Sequence, residues 1–191
     1  MSTLNVTNIK AADGTSGLTI ANSTGVITHA AGFNNYATAS SSGGATINPT
    51  LNGIPSWANE ITVSFYGLSP AGAADTMFRA AVGGTVITAN YQYTGMYAVG
   101  TDVTLSDRSA GGDGGFAFYG WTAANNNMNG TVVFTRAGST TYIAKGVHYN
   151  HQYPTYYITF AGRVSLSGAI SGISLYNSTN FDAGDVRVVW R

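Results

Sequence analysis

The side chains best able to do chemistry in this chain are its three histidines, His29, His148 and His151. A metal centre needs ligands that converge from fixed elements, with carboxylates to help. No helix is predicted between His148 and His151, and no acidic residue lies near them in the sequence. Cysteine is absent, which excludes thiolate metal sites, disulfides and cysteine nucleophiles. We therefore predict neither a metal nor any other cofactor.

Acidic side chains could instead act in pairs, as they do in glycoside cleavage. Most of them stand beside glycines in predicted turns, where Asp is expected to bond to the local backbone; the candidates are Glu60, Asp75, Asp102, Asp107, Asp113, Asp182 and Asp185. No Gly-X-Ser-X-Gly turn supports a serine nucleophile, and the glycine run at 111–115 lacks the lysine of a phosphate loop. The residues therefore favour a protein that is not an enzyme, with a carbohydrate-active enzyme as the minority alternative.

Aromatic residues are a better indication of function. Tyrosine and tryptophan combine an apolar ring with a polar group, which suits protein interfaces and stacking on sugars. Loops on a rigid scaffold are where recognition usually takes place. We predict a recognition surface on two such loops, formed by Trp121, Asn125, Asn126, Asn127, His151 and Tyr153. Four other aromatic residues are expected in the core: Phe116, Phe118, Phe134 and Phe160.

Composition limits the choice of partners. Charged residues make up only 8% of the chain, and eight basic residues balance eight acidic ones. This balance favours neither nucleic acid nor an anionic membrane as a partner. The first residues lack the basic and apolar regions of a signal peptide, and no apolar run approaches the ~18 residues of a membrane helix. A surface with so few charges leaves strand edges unprotected, so we expect them to be covered by closure of the sheet or by neighbouring subunits.

The pattern from residue 60 onward predicts an all-β fold, because short alternating runs are separated by Gly, Asn, Ser and Asp clusters and no helical period is sustained. Such spacing is typical of a β-sandwich or jelly roll. The predicted strands are Glu60–Leu68, Asp75–Val82, Val86–Tyr93, Gly115–Trp121, Gly130–Arg136, Thr141–Tyr149, Tyr156–Leu166, Gly172–Tyr176 and Val186–Trp190. The longest predicted turns are 67–74 and 108–115, the second of which is expected to be an exposed loop, and Trp57 is expected to cover one end of the core.

The last stretch, FDAGDVRVVWR, organises this prediction. Val186, Val188 and Trp190 share one face of an extended strand because side chains alternate. The best partner by pattern is EITVSFY at 60–66, whose alternate residues are also apolar. We predict that these two strands pair in one sheet, and that Phe65, Val188 and Trp190 lie in its core layer. Residues 182–185 are predicted as the turn before the last strand.

The first 30 residues form a different kind of segment. Short apolar pieces are broken by turn signals, and none can bury enough surface to offset the cost of ordering, roughly 1–2 kcal/mol per residue. We predict an extended segment at 1–30 that docks or oligomerises, followed by the β-sandwich at 31–191. The residues predicted to make those contacts are Leu4, Val6, Ile9, Leu18, Ile20, Val26 and Ile27. A floppy leader is the alternative.

Three stretches of the chain resemble a known group of proteins. The opening LNVTNIKAADGTSGLTIANSTGVIT is similar to the start of tail-fibre and related virion proteins of bacteriophages, particularly marine and cyanobacterial phages. EITVSFYGLS and NFDAGDVRVVW resemble the first and last strands of the β-sandwich domain that follows in such proteins. The likeness covers both ends of the chain and the order of its parts.

The resemblance implies a non-enzymatic virion protein, often a homotrimer, whose N-terminal part attaches to the particle and whose globular part faces outward. A tail fibre or host-attachment adhesin is the first expectation, and a capsid decoration or head-fibre protein is the alternative. The expected location is the virion, on the tail or the capsid surface. The expected partners are further copies of the chain, other virion proteins and a glycan or protein of the host surface, with no nucleic acid and no membrane insertion.

Overall fold

The computed structural model of the chain describes residues 8–10, 16–20, 27–28, 35–72, 74–99, 102–108, 114–118, 127–150 and 156–191. These residues form strands and turns, and none of them is helical. The chain divides into two compact units, Met1–Asn35 and Tyr36–Arg191. The prediction of an all-β fold is confirmed.

The N-terminal unit contains a small antiparallel sheet with the strand order β1-β2-β3. The strands are β1 (Asn8–Lys10), β2 (Ser16–Ile20) and β3 (Ile27–Thr28). Ile9 lies opposite Leu18, and Ile20 lies opposite Ile27. The other residues predicted to dock or oligomerise, Leu4, Val6 and Val26, lie outside the described residues.

The C-terminal unit is built from two antiparallel sheets. Its strands are β4 (Tyr36–Ser40), β5 (Thr46–Thr50), β6 (Glu60–Pro70), β7 (Thr76–Val82), β8 (Thr85–Val86), β9 (Tyr91–Val99), β10 (Asp102–Arg108), β11 (Phe116–Phe118), β12 (Met128–Arg136), β13 (Thr141–Asn150), β14 (Tyr156–Ser165), β15 (Gly172–Tyr176) and β16 (Phe181–Trp190). The larger sheet has the order β10-β9-β14-β13-β12-β6-β16-β4, and the smaller has the order β11-β7-β15-β5, with β8 paired to β7. The two sheets confirm the predicted β-sandwich.

Aromatic side chains from the two sheets meet in the core. The ring centroids of Phe65 in the larger sheet and Phe78 in the smaller sheet are 5.2 Å apart. Phe160 of the larger sheet stacks on Phe116 at 5.4 Å and meets Phe118 edge-on at 5.2 Å. Aromatic pairs at such distances stabilise a core by about 0.5–1.5 kcal/mol each beyond the area they bury. The four residues predicted as core aromatics, Phe116, Phe118, Phe134 and Phe160, are all buried.

The predicted pairing of the last strand with residues 60–66 is confirmed. Strand β16 is antiparallel to β6, with Val188 opposite Val63 and Trp190 opposite Ile61. All four side chains are buried, because alternate residues of both strands face the smaller sheet. Phe65 lies in the same layer, opposite Val186.

The chain end is held at the start of β6. The N–H of Arg191 donates to the carbonyl of Glu60, the N–H of Glu60 donates back to the carbonyl of Arg191, and both N···O distances are 3.0 Å. The side chains of the two residues form an ion pair at 2.7 Å. This end of the pair of strands is therefore fixed, and fraying of the last residues is suppressed.

Two strands of the C-terminal unit precede Glu60, where the first full strand was predicted. Strand β4 was missed because its inward residues, Ala37 and Ala39, are small and give no apolar alternation. Strand β5 contains Pro49, which a central strand does not tolerate, but β5 is at the edge of the smaller sheet. Trp57 does not cover the core, since 57% of it is exposed.

Several predicted strand limits were wrong. The predicted strand Val86–Tyr93 is divided between β8 and β9, because Asn90 adopts a left-handed φ of 69° between them. The predicted turn at 67–74 is partly strand, since β6 continues to Pro70. The predicted turn at 182–185 lies wholly within β16, which begins at Phe181. Strand β10 was not predicted.

The glycine-rich turn at 108–115 was predicted to be exposed, and this was wrong for its last residues. The Nε–H of Arg79 donates to the carbonyl of Gly114 at 2.6 Å, and its guanidinium stacks on the Tyr176 ring at 4.0 Å. Gly115 is buried, and a Cβ there would lie 2.9 Å from the Cγ of Arg79. Glycine is therefore required for close packing at this position. Residues 109–113 lie outside the described residues.

Replacing Trp190 by Ala should lower the free energy of unfolding by about 3–5 kcal/mol, because the change leaves a cavity beside Ile61 in the sheet layer. Urea denaturation of the two proteins measures this difference. Val189→Ala is the matched control, since its side chain faces outward and the change should alter stability by less than about 0.5 kcal/mol. Equal midpoints for wild type and Trp190→Ala would show that the last strand contributes nothing to the core.

Candidate functional site

Most of the predicted recognition residues cannot be placed. Trp121, Asn125, Asn126, His151 and Tyr153 lie outside the described residues. Asn127 is described, is exposed and directly precedes β12. The first residue of β12 is paired with the last residue of β13, so the strand ends that border the two predicted loops lie side by side.

The register of the larger sheet brings one set of outward residues into line at this same end. One residue from each of its strands lies in a row that crosses the sheet. The row is interrupted by the bulge between β6 and β12, where Tyr66 and Gly67 together stand across from Asn129. All members of the row face outward, and each is exposed or partly exposed. We name this set the transverse row; it consists of Ser40, Asp185, Tyr66, Asn129, Tyr149, Tyr157, Ala98 and Val103.

Tyr66 is the most prominent member of the transverse row, with 74% of it exposed. Irregular backbone surrounds it on both sides. Gly67 follows it with a left-handed φ of 59°, and the facing strand contains Gly184 with a φ of 122°. The pairing of β6 shifts register here against both neighbouring strands. Bulges are frequent beside binding sites, where they redirect a side chain.

Asn129 fixes the bulge after Tyr66. Its side-chain Oδ1 accepts a hydrogen bond from the N–H of Gly67 at 2.9 Å. Its Nδ2 donates to the carbonyl of Asn127 at 3.1 Å. The amide therefore connects β6 to the segment that enters β12, and it satisfies a backbone donor that the bulge removes from the ladder.

Two grooves flank the Tyr66 ring. One has a volume of about 370 Å³ and lies over β4, β16 and β6, where Asp185 and Arg187 line it. The other has a volume of about 390 Å³ and is lined by Tyr66, Gly67, Asn127 and Asn129. The Tyr66 side chain thus separates the two grooves, and each groove contains groups that can donate or accept hydrogen bonds.

The charged groups near Tyr66 already have partners. The hydroxyl of Ser40 donates to the Asp185 carboxylate at 2.5 Å. The guanidinium of Arg187 lies 4.7 Å from the centre of the Tyr36 ring. These contacts hold both charges in place, so a ligand would meet fixed polar groups.

Two more tyrosines lie further along the transverse row. Tyr149 and Tyr157 are directly opposite each other on β13 and β14. Close to half of each is exposed, at 39% and 45%. Cross-strand neighbours of this kind have Cβ atoms about 4.5–5.5 Å apart, so the two tyrosines stand side by side and present ring surface and hydroxyls to solvent.

His148 does not belong to this surface. It points into the core, is only 1% exposed, and its ring meets Phe118 edge-on at 4.7 Å. Burial lowers the pKa of His148 to about 4, and the Tyr149 backbone opposes this only in part. That backbone does not lie in hydrogen-bonding geometry, and neither ring nitrogen has a hydrogen-bond partner. His148 is therefore a neutral core residue.

The other groups considered for catalysis are dispersed. Asp102, Asp107, Asp182 and Asp185 lie in strands, which corrects the prediction that most acidic residues lie in turns. Asp113, His29 and His151 lie outside the described residues. Within the described residues, no group of three or more metal-ligating side chains could hold a metal ion.

The comparisons with known proteins give no relative. No family model matches the chain, and no curated protein or solved structure matches it. The part of the chain that the structure describes contains no helix long and apolar enough to cross a membrane.

The transverse row can bind a ligand by stacking and hydrogen bonding. Sequence reasoning missed Tyr66, Tyr149, Tyr157 and Asp185 as site residues because it sought the site in loops. The alternation of apolar and polar residues along 60–66 places Tyr66 on the opposite face of the strand from Val63 and Phe65. That pattern was the one indication in the sequence that Tyr66 is exposed. The alignment of Tyr66 with Tyr149 and Tyr157 in the transverse row could not be predicted from the sequence, because it depends on the pairing registers of strands that are distant in the sequence.

Acid should destabilise the protein through His148. Its pKa is about 4 in the folded protein and ordinarily 6.5. Between these two pKa values the unfolded chain binds a proton at His148 and the folded protein does not. The stability that the folded protein has at neutral pH is therefore reduced as the pH falls from about 6.5 to 4. The full loss is about 3 kcal/mol. Urea denaturation at pH 7 and pH 4.5 measures most of this loss, and His148→Leu should reduce the difference in stability between the two pH values. An unchanged difference in that variant would contradict the assignment.

The bulge glycines should respond unequally to alanine. At Gly184 a Cβ would lie 2.5 Å from the Cα of Leu68, whereas at Gly67 it would meet open space. Gly67→Ala should therefore lower the free energy of unfolding by only about 1–2 kcal/mol, the cost of placing alanine in a left-handed conformation. Gly184→Ala should lower it by more. Thermal melting of both variants tests the order. Gly138→Ala is the control, because its φ is not left-handed and its nearest neighbour is 3.8 Å away.

Proposed function

We propose that this chain is a non-enzymatic bacteriophage virion protein, a tail fibre or host-attachment adhesin. Its N-terminal segment docks to the particle and its β-sandwich faces the host surface. The observation that carries the proposal is the transverse row, with Tyr66 exposed between two grooves. The location in the virion is proposed from sequence resemblance. The opening of the chain and the two stretches EITVSFYGLS and NFDAGDVRVVW resemble virion fibre proteins.

The composition of the row supports recognition. Its aromatic rings are held on paired strands, so little conformational freedom is lost when a partner binds. Asp185 and Asn129 are already fixed by hydrogen bonds. A rigid surface that combines exposed aromatic rings with fixed polar groups is typical of a binding site.

Assembly into a homotrimer is part of the proposal. Strands β4 and β10 are the edges of the larger sheet, and exposed edges favour association when few charges protect them. Exposed Val103 and Ile143 add apolar area to the outer face. The contacts of residues 1–28 with neighbouring chains or with the particle complete the assembly.

Deleting residues 1–28 should leave a folded sandwich that no longer enters virions, because the docking segment is gone. Circular dichroism and sedimentation of the purified deletion test folding and assembly, and virion composition tests incorporation. A stable monomeric wild type together with normal incorporation of the deletion would contradict the proposal.

Immunogold labelling of intact particles tests the location. Label on the tail supports the adhesin, whereas label on the head would replace it with the alternative, a capsid decoration or head-fibre protein.

Tyr66→Ala should weaken attachment of the labelled protein to host cells about tenfold, a loss of ~1.4 kcal/mol. The ring is 74% exposed, so the variant should fold normally. Flow cytometry of cells incubated with the protein measures binding. Trp57→Ala is the control, because it removes an exposed aromatic ring that is not in the transverse row. Equal loss in both variants would count against the site.

A further inference from the structure

We propose that the transverse row binds an uncharged linear oligosaccharide of several sugar units, lying across the strands. The inference rests on the proposed function in that it names the ligand of the same surface. Its test uses only the purified chain, so it can fail while that function stands.

The length of the site indicates a chain of sugars. Tyr66 on β6 and Tyr157 on β14 are separated by β12 and β13, so their strands lie about 14 Å apart, three strand spacings. One pyranose ring covers about one tyrosine ring. A sugar ligand that contacts both ends of this span must therefore consist of several linked rings.

The order of groups along the row fits such an occupant. The paired rings of Tyr149 and Tyr157 form a platform for the apolar face of a sugar. Asn129 comes next, and its amide can meet hydroxyls between the platforms. Tyr66 then offers a second ring, with grooves on both sides that can hold the edges of the chain.

The charges at the row argue for an uncharged ligand. Among the members of the row, Asp185 is the one charged side chain, and it already accepts the Ser40 hydroxyl. The nearest cation on this face, Arg187, is stacked over Tyr36. An acidic sugar on the row would meet the Asp185 carboxylate, no member of the row is cationic, and like charges at close range are unfavourable.

The test is a length series measured by isothermal titration calorimetry. The probes are the disaccharide, tetrasaccharide and hexasaccharide of linear glucose, mannose, galactose and N-acetylglucosamine polymers. For at least one polymer, the hexasaccharide should bind at least tenfold more tightly than the disaccharide. Tyr66→Ala should remove that gain with length, because Tyr149 and Tyr157 are then the only stacking residues left in the row.

Matched variants separate stacking from folding. Tyr66→Phe keeps the ring and should keep most of the gain with length, and Trp57→Ala should match the wild type. Tyr149→Ala combined with Tyr157→Ala should weaken every probe, with thermal melting as the check that the protein is folded.

Each outcome decides the inference. Binding that does not depend on length, or that survives Tyr66→Ala and the double variant, overturns it. Binding to none of the probes also overturns it. If host cells still bind the protein through Tyr66 in that case, the proposed function stands and the partner is a protein. Oligosaccharide binding without attachment to host cells would support the inference and contradict the proposed function.

Discussion

The pairing of β6 with β16 is the interaction on which the rest of the structure depends. It joins residues more than 100 positions apart in the sequence, at the expense of closing a long loop. One face of the pair supplies Ile61, Val63 and Val188 to the core. The opposite face places Tyr66 directly opposite Asp185. A slip of one residue would exchange the two faces, so burial of the core fixes the position of the candidate site.

The aromatic core holds the two sheets together, and the irregular backbone beside it shapes the exposed surface at Tyr66. Phe65, Phe78 and Phe118 contact one another across the two sheets and hold them in one arrangement. Immediately after Phe65 and Tyr66, the strand departs from regular pairing at Gly67. Packing on one side of β6 can thus stabilise an unusual backbone on the other, which is how a binding surface keeps a conformation that is locally unfavourable.

Much of the fold could be predicted from the sequence, and much of the site could not. Strand β16 was found, with its partner, because its apolar alternation is long. Strand β10 was missed because Val103 and Leu105 are its only apolar residues, and Val103 faces solvent. The loops chosen as the site lie mostly outside the described residues, so that prediction is untested except for the exposure of Asn127. The transverse row needed the register of eight strands, which no local pattern contains.

The position of β4 has a mechanical consequence. Tyr36 begins this strand and Ser40 ends it, and Ser40 is the member of the transverse row on β4. A pulling force applied to the C-terminal unit at Tyr36 and resisted at the transverse row therefore acts along β4. The hydrogen bonds to β16 are perpendicular to that direction, so all of them are strained together. A pair of strands pulled in shear in this way separates at a higher force than one that is peeled apart bond by bond, and this resistance would serve the attachment function proposed above.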